Sequence, residues 1–211
     1  MFKAFSSSRR LALAALAALA LTGPAALAQS ATDSLPDDMV LGQDKAPVTL
    51  VEYASVGCPH CATFHNEVWP TIKEKYVATG KVRFVFREMI TGNPQVAMGG
   101  FITARCADKK RYFDVVDQVF RDQNQLVLSL DLKTELKAIA KKAGVTDKKF
   151  ETCIASKDAV ATIAARSDSN AQFGGVRSTP SFFVNGAKLD GPYTLATFEA
   201  AFQAAETAAK T

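Results

Sequence analysis

Residues 48–61 read VTLVEYASVGCPHC. The first seven, Val48 to Ala54, are β-rich and mostly apolar, and four residues later Cys58 opens a pattern with Phe64, Val68, Ile72 and Tyr76 at four-residue spacing, the period of a helix. Strand, turn and helix follow in that order. Pro70 falls inside the helical pattern, where it removes a backbone donor and should kink the helix near Asn66. After Gly80 a second strand pattern, VRFVFR, runs from Val82 to Arg87. Two strands joined through one helix pair in parallel, so the fragment is a βαβ unit.

On the N-terminal side, residues 29–44 are polar, with Pro36 and Gly42 as breakers, and only Met39 to Leu41 could form a short strand. On the C-terminal side, helical spacing holds from Pro94 to Phe173. One segment carries Phe101, Ile102, Arg105 and Cys106, and a second carries Tyr112, Val115, Val116, Val119 and Phe120. A third carries Leu132, Leu136, Ile139 and Ala140 behind Asp131 or Ser129 as N-cap, with Gly144 at its end. A fourth holds Phe150, Cys153 and Ile154 behind Thr146 or Asp147, and a fifth runs from about Asp158 to Phe173. Strand patterns return at Ser181 to Asn185 and Ala187 to Leu189 around an Asn185-Gly186 turn, a hairpin signal. Thr194 then caps a last helix with Leu195, Phe198 and Phe202. The order is β-α-β, helices, β-β-α.

Of the 211 residues, 48% are hydrophobic and 22% charged, which excludes a disordered tail, a collagen-like fibre and a polytopic membrane protein. The formal charge is +4, but Lys3, Arg9 and Arg10 lie in the first 28 residues, and beyond them 22 cationic residues face 21 acidic ones. A near-neutral chain without an Arg/Lys stripe has no electrostatic means of holding nucleic acid. Residues 1–10 are cationic, Leu11 to Leu21 is an unbroken Leu/Ala run, and Gly23-Pro24 breaks it ahead of Ala26-Leu27-Ala28. That order reads as a signal peptide (1–28) cleaved after Ala28; a membrane anchor would need about 20 uninterrupted apolar residues. The fold is sought in residues 29–211, exported to a disulfide-permissive compartment.

Cys58-Pro59-His60-Cys61 lies between a buried strand and the first turn of a helix, where unpaired backbone N–H groups and the helix dipole favour a thiolate. Cys58 is therefore the candidate reactive sulfur and Cys61, one turn further in, the resolving one. Pro59 fits the first turn, where a missing N–H costs nothing. A protonated His60 adds positive charge beside the sulfur, stabilising the reduced form and making the disulfide more oxidising. Two other readings compete: a zinc site from Cys58, Cys61 and His65, which lacks an evident fourth ligand, and a purely structural disulfide, whose tight ring would stabilise weakly. His65 reads as an ordinary helix-surface or core histidine.

VEYASVG ahead of Cys58-Pro59-His60-Cys61, the long helical stretch, and STPSFFVNG at Ser178 to Gly186 together resemble the DsbA family of periplasmic thiol:disulfide oxidoreductases, members of the thioredoxin fold. The resemblance covers about Val40 to Gln203. It implies an α/β thioredoxin fold with an inserted all-helical subdomain at about 94–173. It implies a catalytic motif of Cys58, Pro59, His60 and Cys61, with no cofactor beyond the Cys58–Cys61 disulfide and no metal. The resemblance further implies that Thr179-Pro180 is a cis peptide against the sulfur pair, its backbone open to an extended substrate strand; the plain alternative is a strand-entry proline. Glu52 stands where the family has a buried acid that manages the inner cysteine's proton, or it is a strand-edge surface charge. Thr179 departs from the Val that other members carry before the proline, which bears on partner preference and redox poise.

The remaining cysteines, Cys106 and Cys153, either pair as a structural disulfide, as leftover cysteines in an exported chain tend to, or are two buried thiols. The function implied is a monomeric periplasmic oxidase that donates its disulfide to reduced, unfolded exported proteins and is reoxidised by a DsbB-like, quinone-linked membrane partner. The rival functions are a disulfide isomerase or reductase, and a non-catalytic thioredoxin-like chaperone or binding module. The 19 residues between Ala28 and Val48 are too few for the N-terminal oligomerisation region that isomerases of this fold generally bring.

Overall fold

Strand β1 (Met39–Leu41) leads into β2 (Val48–Ala54), which turns into helix α1 (Pro59–Glu67) and a short α2 (Trp69–Ile72) before β3 (Val82–Glu88). The computed structural model describes Met1, Leu35, residues 37–173 and residues 175–209; the expected signal peptide and its cleavage after Ala28 lie outside them. β2 and β3 pair in parallel, from Val48 beside Val82 to Ala54 beside Glu88. The expected single kinked helix is instead two. α1 stops at Glu67, Val68 caps it, and Pro70 occupies the first turn of α2, followed by a wider π turn at Lys73–Val77. A proline that would break the helical ladder in mid-helix is tolerated at a restart.

Five helices follow β3: α3 (Pro94–Cys106), α4 (Tyr112–Leu128), α5 (Leu132–Lys142), α6 (Asp147–Ile154) and α7 (Lys157–Ala171). Asn93, Asp131, Thr146 and Ser156 cap α3, α5, α6 and α7, each side chain accepting from a backbone N–H in the first turn. α7 starts one residue earlier and stops two residues sooner than its spacing suggested. The chain returns through β4 (Ser181–Val184) and β5 (Ala187–Lys188) to α8 (Leu195–Ala208). Asn185 and Gly186 both take positive φ, 45° and 87°, as a two-residue hairpin turn requires. The sheet order is β1-β3-β2-β4-β5. This is a thioredoxin fold with a helical insertion.

β2 is central and covered on both faces, which explains its nearly unbroken apolar run. Its alternation sends Leu50 and Ala54 into the larger core with Phe64 of α1 and Phe198 of α8, while Val51 and Tyr53 join Val85 and Phe183 on the other side. Glu52 has the parity of Leu50 and Ala54, so the strand carries a carboxyl group into the larger core.

The insertion is fastened to the sheet at the end of β3. Glu88 accepts from Arg105 of α3 at 2.7 and 2.9 Å and from the Tyr112 hydroxyl of α4 at 2.8 Å. The carboxylate is 1% exposed. Removing one partner of so buried a pair typically costs about 3–5 kcal/mol, so the contact holds the helical layer in register with the strands.

Cys106 and Cys153 are joined by a disulfide that ties the end of α3 to α6 across 47 residues of sequence. Replacing both with Ala should lower the unfolding free energy by something under the roughly 4 kcal/mol that closing such a loop contributes on the chain-entropy model. Denaturant unfolding of the double variant checks the size of the loss, and a peptide-oxidation assay should show that exchange persists. Loss of exchange in a folded double variant would give this pair a part in electron transfer.

Candidate active site

The turn from β2 into α1 must dispose of several buried backbone groups, and three neighbours supply their partners. Gln123 of α4 donates to the Val56 carbonyl at 2.7 Å and to the Cys58 carbonyl at 3.1 Å. The Ser55 hydroxyl donates to the Thr91 carbonyl and accepts from the Gly57 and Thr91 N–H groups. The Asn93 N–H donates to the Gly57 carbonyl at 2.9 Å. Gly92, with φ 71°, lies so close to Gly57 that a Cβ on it would meet the Gly57 carbonyl oxygen at 2.1 Å. A side chain there would push the turn away from the loop that braces it.

Cys58 is the N-cap of α1, in extended conformation and without a side-chain cap hydrogen bond, so its sulfur stands at the position from which a capping oxygen would act. Pro59 follows in the first turn. Both active-pair cysteines are free thiols here, with Cys58 5% and Cys61 0% exposed. The Cys58 thiolate is stabilised first by a hydrogen bond from the Cys61 thiol. Burial opposes it, and the Thr179 side chain and the backbone N–H groups of Cys61 and His60 assist; together they lower its pKa from 9.0 to about 5. Cys61 moves far in the other direction, first through burial, then through its bond to Cys58 and the nearby Glu52 charge. The His60 side chain is exposed, and its main-chain N–H is among the groups that lower the Cys58 pKa.

Thr179-Pro180 is a cis peptide. The Cys58 thiol donates to the Thr179 carbonyl at 3.4 Å, so this segment borders the outer sulfur. The Thr179 and Thr91 hydroxyls share a hydrogen bond of 2.6 Å. Behind the sulfur pair, Glu52 is fully buried and its Oε2 lies 2.9 Å from His65 Nε2. Burial raises the Glu52 pKa and His65 pulls it back. The surface-charge reading of Glu52 is therefore set aside. Cys106 and Cys153 sit elsewhere, in the helical insertion. Among the described residues, no group of three or more His, Cys, Asp or Glu side chains is arranged to hold a metal ion.

The sequence reading placed Cys58, Pro59, His60, Cys61, Glu52, Thr179 and Pro180 near one another, and the structure brings these residues together. His65, expected to be an ordinary helix-surface or core histidine, is buried against Glu52, and Gln123 and Thr91 were not singled out. His65 follows Cys61 by four residues on one helix, a spacing that puts both on one face. Gln123 is a polar residue on the apolar stripe of Val116, Val119 and Phe120. Both signals were readable. Thr91 carried none.

A thioredoxin family model matches residues 34–204. Among proteins similar in sequence, a Rickettsia prowazekii chain named as a protein-disulfide oxidoreductase is 33% identical over 155 residues, 73% of this chain. A Bacillus cereus chain named as disulfide bond formation protein D is 29% identical over 150 residues, 69% of each chain. The present chain spans 56% of the Rickettsia protein's own length. Among solved structures, Wolbachia pipientis alpha-DsbA1 is similar with 29% identity and a TM-score of 0.77, covering 86% of this chain and 98% of that one.

The thiolate absorbance of reduced protein should titrate with a midpoint at about 5, and alkylation at mildly acid pH should label Cys58 before Cys61. Because the folded pKa lies below the ordinary 9.0, the thiolate's stabilisation of the reduced fold is complete above that value and is lost as pH falls through about 5. Unfolding of reduced protein should therefore become harder as pH rises across this window. Preferential labelling of Cys61 would reverse the two roles.

Proposed function

Since the chain belongs to the thioredoxin family and is similar to its DsbA-like members, we propose that it is an exported thiol:disulfide oxidoreductase working as a dithiol oxidase. The observation that carries this reading is the opposite treatment of two neighbouring sulfurs: Cys58 is lowered to about 5 while Cys61 is driven upward. A stabilised thiolate is a good leaving group, and stabilising the reduced form makes the disulfide a stronger oxidant.

A substrate thiolate attacks Cys58 Sγ, the Cys58–Cys61 bond breaks, and Cys61 leaves and is protonated. The substrate's second thiolate then attacks its own sulfur in the mixed disulfide and expels Cys58 as thiolate. The substrate is oxidised and the enzyme reduced. In this scheme Thr179 offers its backbone to an extended substrate strand, Pro180 shapes that wall, and Glu52 handles the Cys61 proton. Pro59 and His60 set the geometry and charge of the helix start. The substrates are reduced, unfolded exported proteins in the periplasm, the protein acts as a monomer, and a DsbB-like quinone-linked membrane protein restores the disulfide. An isomerase would instead need its reduced form to rearrange wrong pairings, a role that a strong oxidant serves poorly.

Oxidised protein mixed with a reduced two-cysteine peptide should transfer one disulfide per chain, and Cys61→Ser should accumulate a mixed disulfide at Cys58 when given the oxidised peptide. A folded, oxidised chain that transfers nothing sinks the assignment in favour of a binding module, and faster repair of a scrambled substrate than net oxidation favours an isomerase.

His60→Ala should leave exchange intact and shift the Cys58/Cys61 equilibrium against glutathione toward the disulfide. If exchange vanished while fold and Cys58 reactivity survived, the tuning role would be wrong.

A further inference from the structure

The helical insertion gathers positive charge at one end. Lys109, Lys110 and Arg111 form the short turn between α3 and α4, Lys141 and Lys142 close α5, and Lys148 and Lys149 lie in the first turn of α6. All seven residues are exposed. The fold brings the three segments together: Arg111 Nη2 donates to the Lys142 carbonyl at 3.4 Å, and Cys106 Sγ, just before the turn, lies 3.6 Å from the Lys149 carbonyl oxygen. Seven of the 22 cations beyond residue 28 therefore share one end of the insertion. The carboxylates beside them are Asp108, Asp114 and Asp147.

Folding does not call for this arrangement. Lys141 and Lys142 suit the negative end of the α5 dipole, but Lys148 and Lys149 stand at the positive end of α6, where a cation is disfavoured. Like charges gathered so closely also repel one another. Elsewhere in the insertion lysines are neutralised, for Lys133 and Lys137 both reach Glu151. None of the six lysines at this end has an ion-pair partner among the described residues, while Arg111 is paired with Asp114 at 2.9 Å. Asp117, further along α4, is already taken by Lys73 and the Trp69 indole.

Independently of the exchange reading above, we propose that this end of the insertion is a docking surface for a membrane of anionic phospholipids. The make-up of the patch selects that partner. Lysine is a compact, strongly hydrated charge on a flexible stem, suited to a diffuse negative surface rather than to a fixed two-pronged acceptor, and six of the seven cations are lysines. The exposed hydrophobic side chains Val127, Leu128, Leu130 and Val160 lie outside these segments, so the patch has no apolar anchor of the kind that carries a protein–protein contact. Its aromatic neighbours Tyr112, Phe113 and Phe150 are buried, which leaves no ring to stack on the bases of a nucleic acid. The attachment rests on charge alone, so it is reversible and weakens with salt.

The same geometry keeps the sulfur pair clear of the lipid. Arg111 precedes the first residue of α4, and Gln123, which donates to the Cys58 carbonyl at 3.1 Å, lies well along that helix. At about 1.5 Å per residue the two positions are roughly 18 Å apart along the axis. The attraction of a charged surface fades over about 10 Å at 0.1 M salt. A membrane held by the patch therefore leaves Cys58 facing solvent and open to a substrate.

Co-sedimentation with vesicles tests this, using the chain from Gln29 onward because the apolar run before it would itself bind lipid. At low salt the protein should bind vesicles of equal parts phosphatidylglycerol and phosphatidylcholine and ignore vesicles of phosphatidylcholine alone. Lys141→Gln with Lys142→Gln should lower the partition coefficient roughly tenfold. Lys45→Gln with Lys188→Gln removes the same charge from exposed positions outside the insertion and should leave binding nearly unchanged. Equal losses in the two pairs would mean that net charge alone drives binding, and that result, or no binding to the anionic vesicles at all, overturns the proposal. So does tighter binding to polyglutamate or to a single-stranded oligonucleotide than to vesicles at matched charge, which would make the partner an acidic polymer. Alkylation of Cys58 in the reduced chain should run as fast on vesicles as in solution; protection would put the sulfur end against the lipid and overturn the proposed face. Peptide oxidation should be the same in both lysine pairs, so a failure of lipid binding is read apart from any failure of exchange.

Discussion

The carbonyl groups of Val56 and Cys58 have to be satisfied where a central strand turns into a buried helix, and the Gln123 side chain, 65 and 67 residues away, is what satisfies them. An orphaned buried carbonyl is costly, so the turn holds its shape only with α4 in place. α4 in turn is placed by the contact of Tyr112 with Glu88 at the end of β3. The helical insertion is thus part of the support for the sulfur pair. With the carbonyl side of the turn occupied in this way, the N–H groups at the start of α1 are left to face the Cys58 sulfur.

From that geometry comes the difference between two cysteines of identical chemistry. Cys58 receives donors from one side, the Cys61 thiol and the main chain of α1, and from the other side the Thr179 hydroxyl. Cys61 lies one turn deeper, above a buried carboxyl group, with its best donor spent on Cys58. Both sulfurs are largely out of solvent, and burial acts more strongly on the deeper one. At Cys58 the converging N–H and S–H groups outweigh burial, and at Cys61 burial is the largest cause of the rise.

Much of this was legible in the sequence because it is local. The parity of β2, the position of Cys58 ahead of Pro59, the Asn185-Gly186 turn and the short amphipathic helices each follow from residues within a few positions of one another. What escaped was the long-range polar pairing. Gln123 is one amide beside an apolar stripe, and the groups it serves are set only when α4 is laid beside the β2–α1 turn. His65 reads as a metal ligand beside Cys58 and Cys61 or as an ordinary histidine, although the parity of Glu52 and the four-residue step from Cys61 point both side chains into one core. The break at Val68 shows the remaining limit: Pro70 announced a disturbed helix, and whether it bends or restarts depends on what the second segment packs against.

The chain holds two cysteine pairs, and helix ends account for their different fates. Cys58 stands before the first residue of α1, where the dipole is positive and N–H groups are free. Cys106 is the last residue of α3, and Cys153 lies one residue before the end of α6, where the dipole is negative and the unpaired groups are carbonyls. A thiolate gains at the first kind of site and loses at the second. Since exchange requires a sulfur that can leave as thiolate, a disulfide between two helix C-termini is slow to open and one at a helix N-terminus is quick. A disulfide is therefore a staple in the insertion, whereas the start of α1 suits a sulfur that leaves readily, as the proposed exchange requires.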